Sequence, residues 1–317
     1  MSTSEAVLIV VALAFAWSMG AHYTGACMGM PYATGSIRLR PALILMAALT
    51  LLGAIFLSQR VLNNIGHNIL MGGRIGAAPA IIVIGVAFLL TTLFTSLRVP
   101  TSTIQILVFC VIGAGLALGL AINWSIIVRL VILWVLAPFV ACGLGFGLTR
   151  LLDFAPAFAA SGASGPIGGV LVVIGGAASL TMGANDVSNA TAVFLTTHFS
   201  GPFLAGVIGG IGLAAGVLTW GRPLLERVAF DVVRVDMAMA SAAQLVQATV
   251  VLTAVFLGYF TSMNQALIGA MAGAGLARGR ETIQAPAILG ILRGWIIGPG
   301  AGMILAFLIT RAFSGSF

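Results

Sequence analysis

"PTSTIQILVFCVIGAGLALG", residues 100–119, returns later in the chain as "FTSMNQALIGAMAGAGLARG", residues 260–279. Both stretches carry Thr-Ser-x-x-Gln and then Gly-Ala-Gly-Leu-Ala-x-Gly. Landmarks on either side keep the same order. "MGAHYTGA" begins at Met19 and "MGANDVSNA" at Met182. Long apolar runs follow and close on Arg60-Val61-Leu62 and Arg222-Pro223-Leu224. Trp134-x-x-x-Pro138 answers Trp295-x-x-x-Pro299, and Thr149-Arg150 answers Thr310-Arg311. Matched landmarks in one order mark an internal repeat. The chain reads as an N-terminal repeat over 1–152, a linker over 153–165 holding "FAPAFAASGASG", and a C-terminal repeat over 166–317.

The residues around these landmarks place the repeats in a membrane. Of 317 residues, 60% are hydrophobic and 7% charged, against about 25% charged in a soluble domain. Apolar segments recur at 6–34, 41–58, 79–97, 100–121, 124–149, 166–197, 202–220, 239–258, 262–277 and 284–310. A span needs about 20 apolar residues, so about ten segments fit. No barrel-like alternation occurs, so the fold class is all-α, polytopic and embedded in the lipid bilayer. The first segment is read as a span rather than a cleaved signal, because "MSTSE" has no basic n-region. The expected localisation is the cytoplasmic membrane, multi-pass.

About five segments per repeat is an odd number. The second repeat is therefore expected to run inverted, with broken or re-entrant helices and a site between the halves near the midplane. The net charge is +7 and every basic residue is arginine. These arginines lie singly or in pairs between apolar runs and form no basic stripe, which excludes nucleic acid as a partner. Cys27, Cys110 and Cys142 sit in apolar stretches and are expected as packing residues.

Asp186, in "SLTMGANDVSNATAVF", is the one acidic residue deep in an apolar segment. A carboxylate there costs about 2.5–3.5 kcal/mol on insertion scales, and such a residue is functional by default. Asn185, Ser188, Asn189 and Thr181 add neutral oxygens. The set suits a desolvated Na⁺, with Asp186 and Asn189 as its ligands, or a proton carried on Asp186. The bland alternative is a neutral aspartic acid bridging helices. The second cluster is Thr101, Ser102, Thr103 and Gln105 with Thr261, Ser262, Asn264 and Gln265. Each group opens an apolar helix after a break at Pro100 or Gly258. Ser and Thr there are N-cap residues, and helix N-termini bind anions through free N–H groups. Two such starts facing each other would cradle a compact oxyanion. His22 and Tyr23 occupy the positions that Asn185 and Asp186 hold in the second repeat, and line the opposite wall or pack. Arg98 and Arg293 are expected to snorkel at the interface, and His67 and His198 to lie in loops.

"GANDVSNA", the two Ser/Thr-rich helix starts before "GAGLA" and the duplicated Trp-x-x-x-Pro resemble the inorganic phosphate transporter (PiT) family of secondary transporters. The resemblance covers nearly the whole chain. It implies symport of phosphate with Na⁺ or H⁺, at a site where the two signature repeats meet. Asn185, Asp186 and Asn189 match the second signature. Ser102 and Thr103 match the first two positions of the family's Ser-Thr-Thr-His, and Ser262 matches the serine of its second copy. The first signature departs from the family at His22, Tyr23 and Ala26. Both family histidines are Gln105 and Gln265 here, and Ile104, Met263 and Asn264 stand where the family has threonine. One of two acidic cation positions is gone, which bears on two-Na⁺ coupling. "GAHYTGACMGMPYATGSIRL" also looks like the family's sulfate-permease branch. Phosphate at neutral pH keeps a proton to donate, whereas sulfate favours a site of N–H and O–H donors alone.

The expectation is a symporter of a tetrahedral oxyanion, phosphate or sulfate, coupled to Na⁺ or H⁺, with no resident cofactor and no catalytic residues. The sequence does not fix the oligomeric state, and a homodimer is left open. An intramembrane enzyme is disfavoured because no nucleophile has a matched base. A passive anion channel could share the fold and stays as an alternative, although a channel wants a continuous polar lining and the polar residues here cluster in two places.

Overall fold

Nearly every apolar segment becomes an α-helix, because within a bilayer only a helix pairs its own backbone N–H and C=O groups segment by segment. The computed structural model describes residues 3–58, 69–70, 75–155, 165–196, 201–256 and 261–313. The helices are α1 Thr3–His22, α2 Thr24–Ala33, α3 Leu39–Phe56, α4 Ala77–Ser96, α5 Thr103–Ala117, α6 Trp124–Asp153, α7 Pro166–Thr196, α8 Pro202–Trp220, α9 Arg222–Phe230, α10 Met237–Phe256, α11 Met263–Arg278 and α12 Ala285–Phe313. Arg60, Val61, Leu62, His67, residues 156–164 of the linker, His198 and Gly258 lie outside the described residues.

Among the described residues, eight helical runs are long and apolar enough to cross a membrane, with α1 and α2 forming one run interrupted at Tyr23. Helices α5 and α11 are apolar and buried but have only 15 and 16 residues. At 1.5 Å per residue they reach about 22–24 Å, short of a hydrocarbon core of about 30 Å. The ten segments are therefore eight long runs and two short inner helices.

The two halves of the chain interleave. Helix α1 packs on α8, α3 on α7, α5 on α12 and α6 on α11. Each pair joins one helix from before residue 153 to one from after residue 166. Matched glycines set these crossings. A Cβ on Gly20 of α1 would collide with the Leu213 carbonyl of α8, and one on Gly183 of α7 with the Thr50 carbonyl of α3. In the inner pairs, Gly113 of α5 meets the Met303 carbonyl of α12, and Gly273 of α11 meets the Cys142 carbonyl of α6. With lipid as solvent, association rests on close backbone packing, which these glycines permit.

The polar punctuation "WGRPLLERVAFDVVRVD" is not all loop. Its first part folds as α9, with Arg222–Glu226 at 2.7 Å and Arg227–Asp231 at 3.2 Å one turn apart on its outer side. Leu224 and Val228 face the other way, onto Gly25 and Gly29 of α2. Large apolar side chains such as Phe139, Ile132, Ile296 and Leu308 stand exposed along α6 and α12, as expected of lipid-facing helices. Cys27 and Cys110 are buried, Cys142 is partly exposed, and all three are free. At the far end of α11, Arg278 bonds Asp153 at the end of α6 and Asp236 before α10, both at 2.6 Å.

Candidate functional site

The short helices α5 and α11 begin inside the protein. After α4 the chain turns through Arg98, whose φ of 55° is left-handed. Pro100 follows, and its carbonyl accepts from Trp295 Nε1 at 3.0 Å. Ser102 caps α5, its Oγ accepting from Gln105 N at 3.4 Å, and Ser262 caps α11 in the same way from Gln265 N at 3.3 Å. The two starts meet. Gln105 Nε2 donates to Gln265 Oε1 at 2.8 Å, and Gln265 Nε2 donates to Gln105 Oε1 at 3.2 Å. Asn264 Nδ2 crosses to the Thr101 carbonyl at 2.8 Å.

Thr101, Ser102, Thr103, Gln105, Thr261, Ser262, Asn264 and Gln265 are all buried. The first N–H groups of each helix have no intrahelical acceptor and sit at the positive end of the helix dipole. Each glutamine Nε2 carries two hydrogens and spends one on its twin. Among the described residues, Thr261 Oγ1 has no partner. This is a donor-rich, uncharged cluster, which is the chemistry an oxyanion needs.

His22 and Tyr23 border the α5 start at the break between α1 and α2. The Thr101 N–H donates to His22 Nε2 at 2.9 Å, so Nε2 is the acceptor and Nδ1 carries the hydrogen, donated to Thr95 Oγ1 at 2.8 Å. Both ring nitrogens are thus engaged by the protein. Tyr23 OH shares a 2.8 Å hydrogen bond with Thr103 Oγ1.

The carboxylate cluster lies on α7, which packs on α2, α3, α8 and α10 and touches α5. Asn189 Nδ2 donates to Asp186 Oδ1 at 3.2 Å. Ser188 Oγ donates to the Asn185 carbonyl at 2.6 Å, within its own helix. Asp186 Oδ2 and Asn185 Oδ1 are buried with no partner among the described residues. Both orphans are acceptors, an arrangement that a cation or a proton satisfies. Tyr23 and Cys27 are within electrostatic reach of Asp186. The first-half wall and the carboxylate therefore share one neighbourhood. Among the described residues, no three His, Cys, Asp or Glu side chains are grouped to hold a metal ion.

Arg98 and Arg293 are exposed, as expected of snorkelling residues. Sequence reasoning missed Thr95, which holds His22, and Gln244 and Gln247 on α10. Both glutamines are wholly buried. Two amides in the apolar run of α10 were the available signal.

The sequence profile of a family described as the phosphate transporter family matches residues 19–162 and again 158–306. The sulfate permease CysP of Bacillus subtilis is 26% identical over 314 residues, covering 98% of this chain and 88% of that protein. The chloroplastic inorganic phosphate transporter 2-1 of Arabidopsis thaliana is 23% identical, covering 94% of this chain and 70% of that protein. A solved structure described as the sodium-dependent phosphate transporter superposes with a TM-score of 0.87 over 100% of both chains at 19% identity, a likeness of fold.

Proposed function

The chain belongs to the phosphate transporter family, and from that premise we propose that it carries phosphate across the membrane together with a cation. The observation that carries the reading is the meeting of two Ser-capped helix starts inside the protein, joined by the reciprocal Gln105–Gln265 amides. In the proposed site, first-turn N–H groups and the hydroxyls of Thr101, Ser102, Thr103, Thr261 and Ser262 take the anion oxygens. The side chains of Asn264, Gln105 and Gln265 close its edge. A dipole end binds an anion without a full countercharge, so release is not opposed by a buried ion pair. Tyr23 walls the site through Thr103, and His22 shapes it by fixing Thr101. The orphan oxygens of Asp186 and Asn185 take the coupling ion, Na⁺ or H⁺, with Asn189 orienting the carboxylate and Ser188 bracing the turn.

Sulfate is the second reading. It is favoured by Tyr23, whose hydroxyl is tied to Thr103 where a second carboxylate would bring another cation, and by the likeness to a sulfate permease. The test is uptake of labelled phosphate and of labelled sulfate into proteoliposomes, each challenged with excess of the other, with and without Na⁺. The Ser102→Ala, Ser262→Ala double variant is expected to raise the half-saturation for the transported anion about tenfold, from loss of hydroxyl contacts to a charged ligand. Unchanged half-saturation removes the helix starts from the site. A wild-type chain that accumulates neither anion under any cation gradient defeats the transport reading.

A further inference from the structure

Helix α10 carries a polar stripe that the transport reading does not use. Ser241, Gln244 and Gln247 follow one another at i, i+3 and i+6 on one face, and all three are buried. Gln244 Nε2 donates to the Ala26 carbonyl at 3.0 Å and to Gln247 Oε1 at 2.9 Å. The carbonyl can only accept, so Gln244 must turn its nitrogen toward it. That nitrogen then requires the oxygen of Gln247. The network fixes both amides and leaves Gln244 Oε1 and Gln247 Nε2 free. Neither atom has a partner among the described residues.

A buried, unpaired polar group is costly, and this stripe leaves an amide donor, an amide acceptor and the Ser241 hydroxyl without partners among the described residues. The matched helix of the first half does without them. Helix α4, which has the length of α10 and precedes the other Ser-capped start, has Ile81, Ile84 and Ala87 at the corresponding positions. The stripe is linked to the site through α2, and α10 packs on α2, α7 and α11. Ala26 lies one turn beyond Tyr23, whose hydroxyl meets Thr103 at the start of α5, and Cys27 is in electrostatic reach of Asp186.

We propose that Gln244 and Gln247 are specificity-determining residues that read the protonation of the bound oxyanion, an inference that rests on the anion-transport reading above. Gln247 Nε2 donates to an anion oxygen, and Gln244 Oε1 accepts from an anion hydroxyl. A monohydrogen or dihydrogen phosphate presents both groups. Sulfate presents acceptors alone, so it leaves Gln244 Oε1 bare. The pair therefore favours phosphate. It also replaces charge with directional amides on the wall where Tyr23 and Ala26 stand.

The test uses Gln247→Met, which keeps the side-chain length and removes the donor, and Gln244→Leu, which removes the acceptor. The intact chain is reconstituted, and half-saturation for phosphate is measured with sulfate as competitor. Protection against thermal unfolding by phosphate and by sulfate is measured in detergent, so that a variant that binds without transporting is still read. Gln247→Met is expected to weaken phosphate about tenfold. Gln244→Leu removes the acceptor together with the Nε2 that orients Gln247, so it is expected to weaken phosphate by about tenfold and sulfate by less, narrowing the discrimination. Wild-type values for both variants overturn the inference. An equal loss for both anions in Gln244→Leu assigns the pair to structure and overturns it as well. A wild-type chain that neither transports nor is protected by either anion is a different result, and defeats the transport reading from which the inference starts.

Discussion

Asp186 receives one side-chain donor, Asn189, while its second oxygen and that of Asn185 face no donor among the described residues. Removing the charge while keeping the shape isolates what the charge does. Asp186→Asn is expected to insert and fold as the wild type, because it relieves a membrane-buried carboxylate that costs about 2.5–3.5 kcal/mol. Cation-driven accumulation of anion should fall to the level of protein-free liposomes. Uptake that keeps its cation dependence in this variant removes Asp186 from coupling. Asp186 was legible in the sequence because one ionisable group in an apolar run contradicts its surroundings. His22 was only half legible. Its role is set by Thr95 and Thr101, 73 and 79 residues away, and no local pattern announces such partners. Gln244 and Gln247 were passed over because a neutral amide disturbs a hydropathy profile far less than a carboxylate does.

Helices α5 and α11 illustrate what sequence periodicity does deliver. Their starts were readable from Ser-x-x-Gln after a break, since a capping hydroxyl and a free first turn are local chemistry. Their shortness was less readable, because the apolar composition runs on past the last turn. Helix α9 was read as punctuation. Its Arg-Glu and Arg-Asp pairs at i, i+4 belong to a surface helix, and only the packing of Val228 on α2 makes that visible. The tight crossings at this scale give a prediction with an internal control. A Cβ at Gly273 has no room against the Cys142 carbonyl, whereas a Cβ at Gly147 of α6 meets nothing. Gly273→Ala should destabilise by about 1–3 kcal/mol, as overpacking does, and lower the melting temperature in detergent. Gly147→Ala should leave it unchanged or raise it, since alanine favours the helix by about 0.5–1 kcal/mol. Equal melting temperatures for the two variants would mean that the α6–α11 crossing is loose.

Across the whole molecule, the repeat in the sequence and the bodies in space are different divisions. Landmarks in one order reveal that two halves correspond, but not which helix packs on which. Here each tight crossing joins helices from opposite halves. A motion of one sequence half against the other would tear the α5–α12 and α6–α11 crossings. The pairs themselves are the better rigid units, with α5, α6, α11 and α12 on one side and α1, α3, α7 and α8 on the other. Arg278 bears on that motion. It ties the last turn of α11 to Asp153 on α6 and to Asp236 at the start of α10, about 24 Å along α11 from the capped start. Its side chain is 31% exposed, so each ion pair is worth about 0.2–1 kcal/mol. The Asp153 pair lies within the α5, α6, α11, α12 group, so only the Asp236 pair holds the boundary, and Arg278→Gln removes about 0.2–1 kcal/mol from the closed arrangement, at most about a fivefold change in the population of an open one. Cys27, buried on α2 where it packs against α7, is a native reporter of that opening. With Cys110→Ala and Cys142→Ala in place, its alkylation by a membrane-permeant maleimide should run faster in Arg278→Gln than with Arg278 intact, by up to about fivefold, and saturating phosphate should slow it in both. Identical alkylation rates would show that the Arg278 ion pairs hold a surface and not a gate, and the moving boundary would have to be sought elsewhere than between α10 and α11.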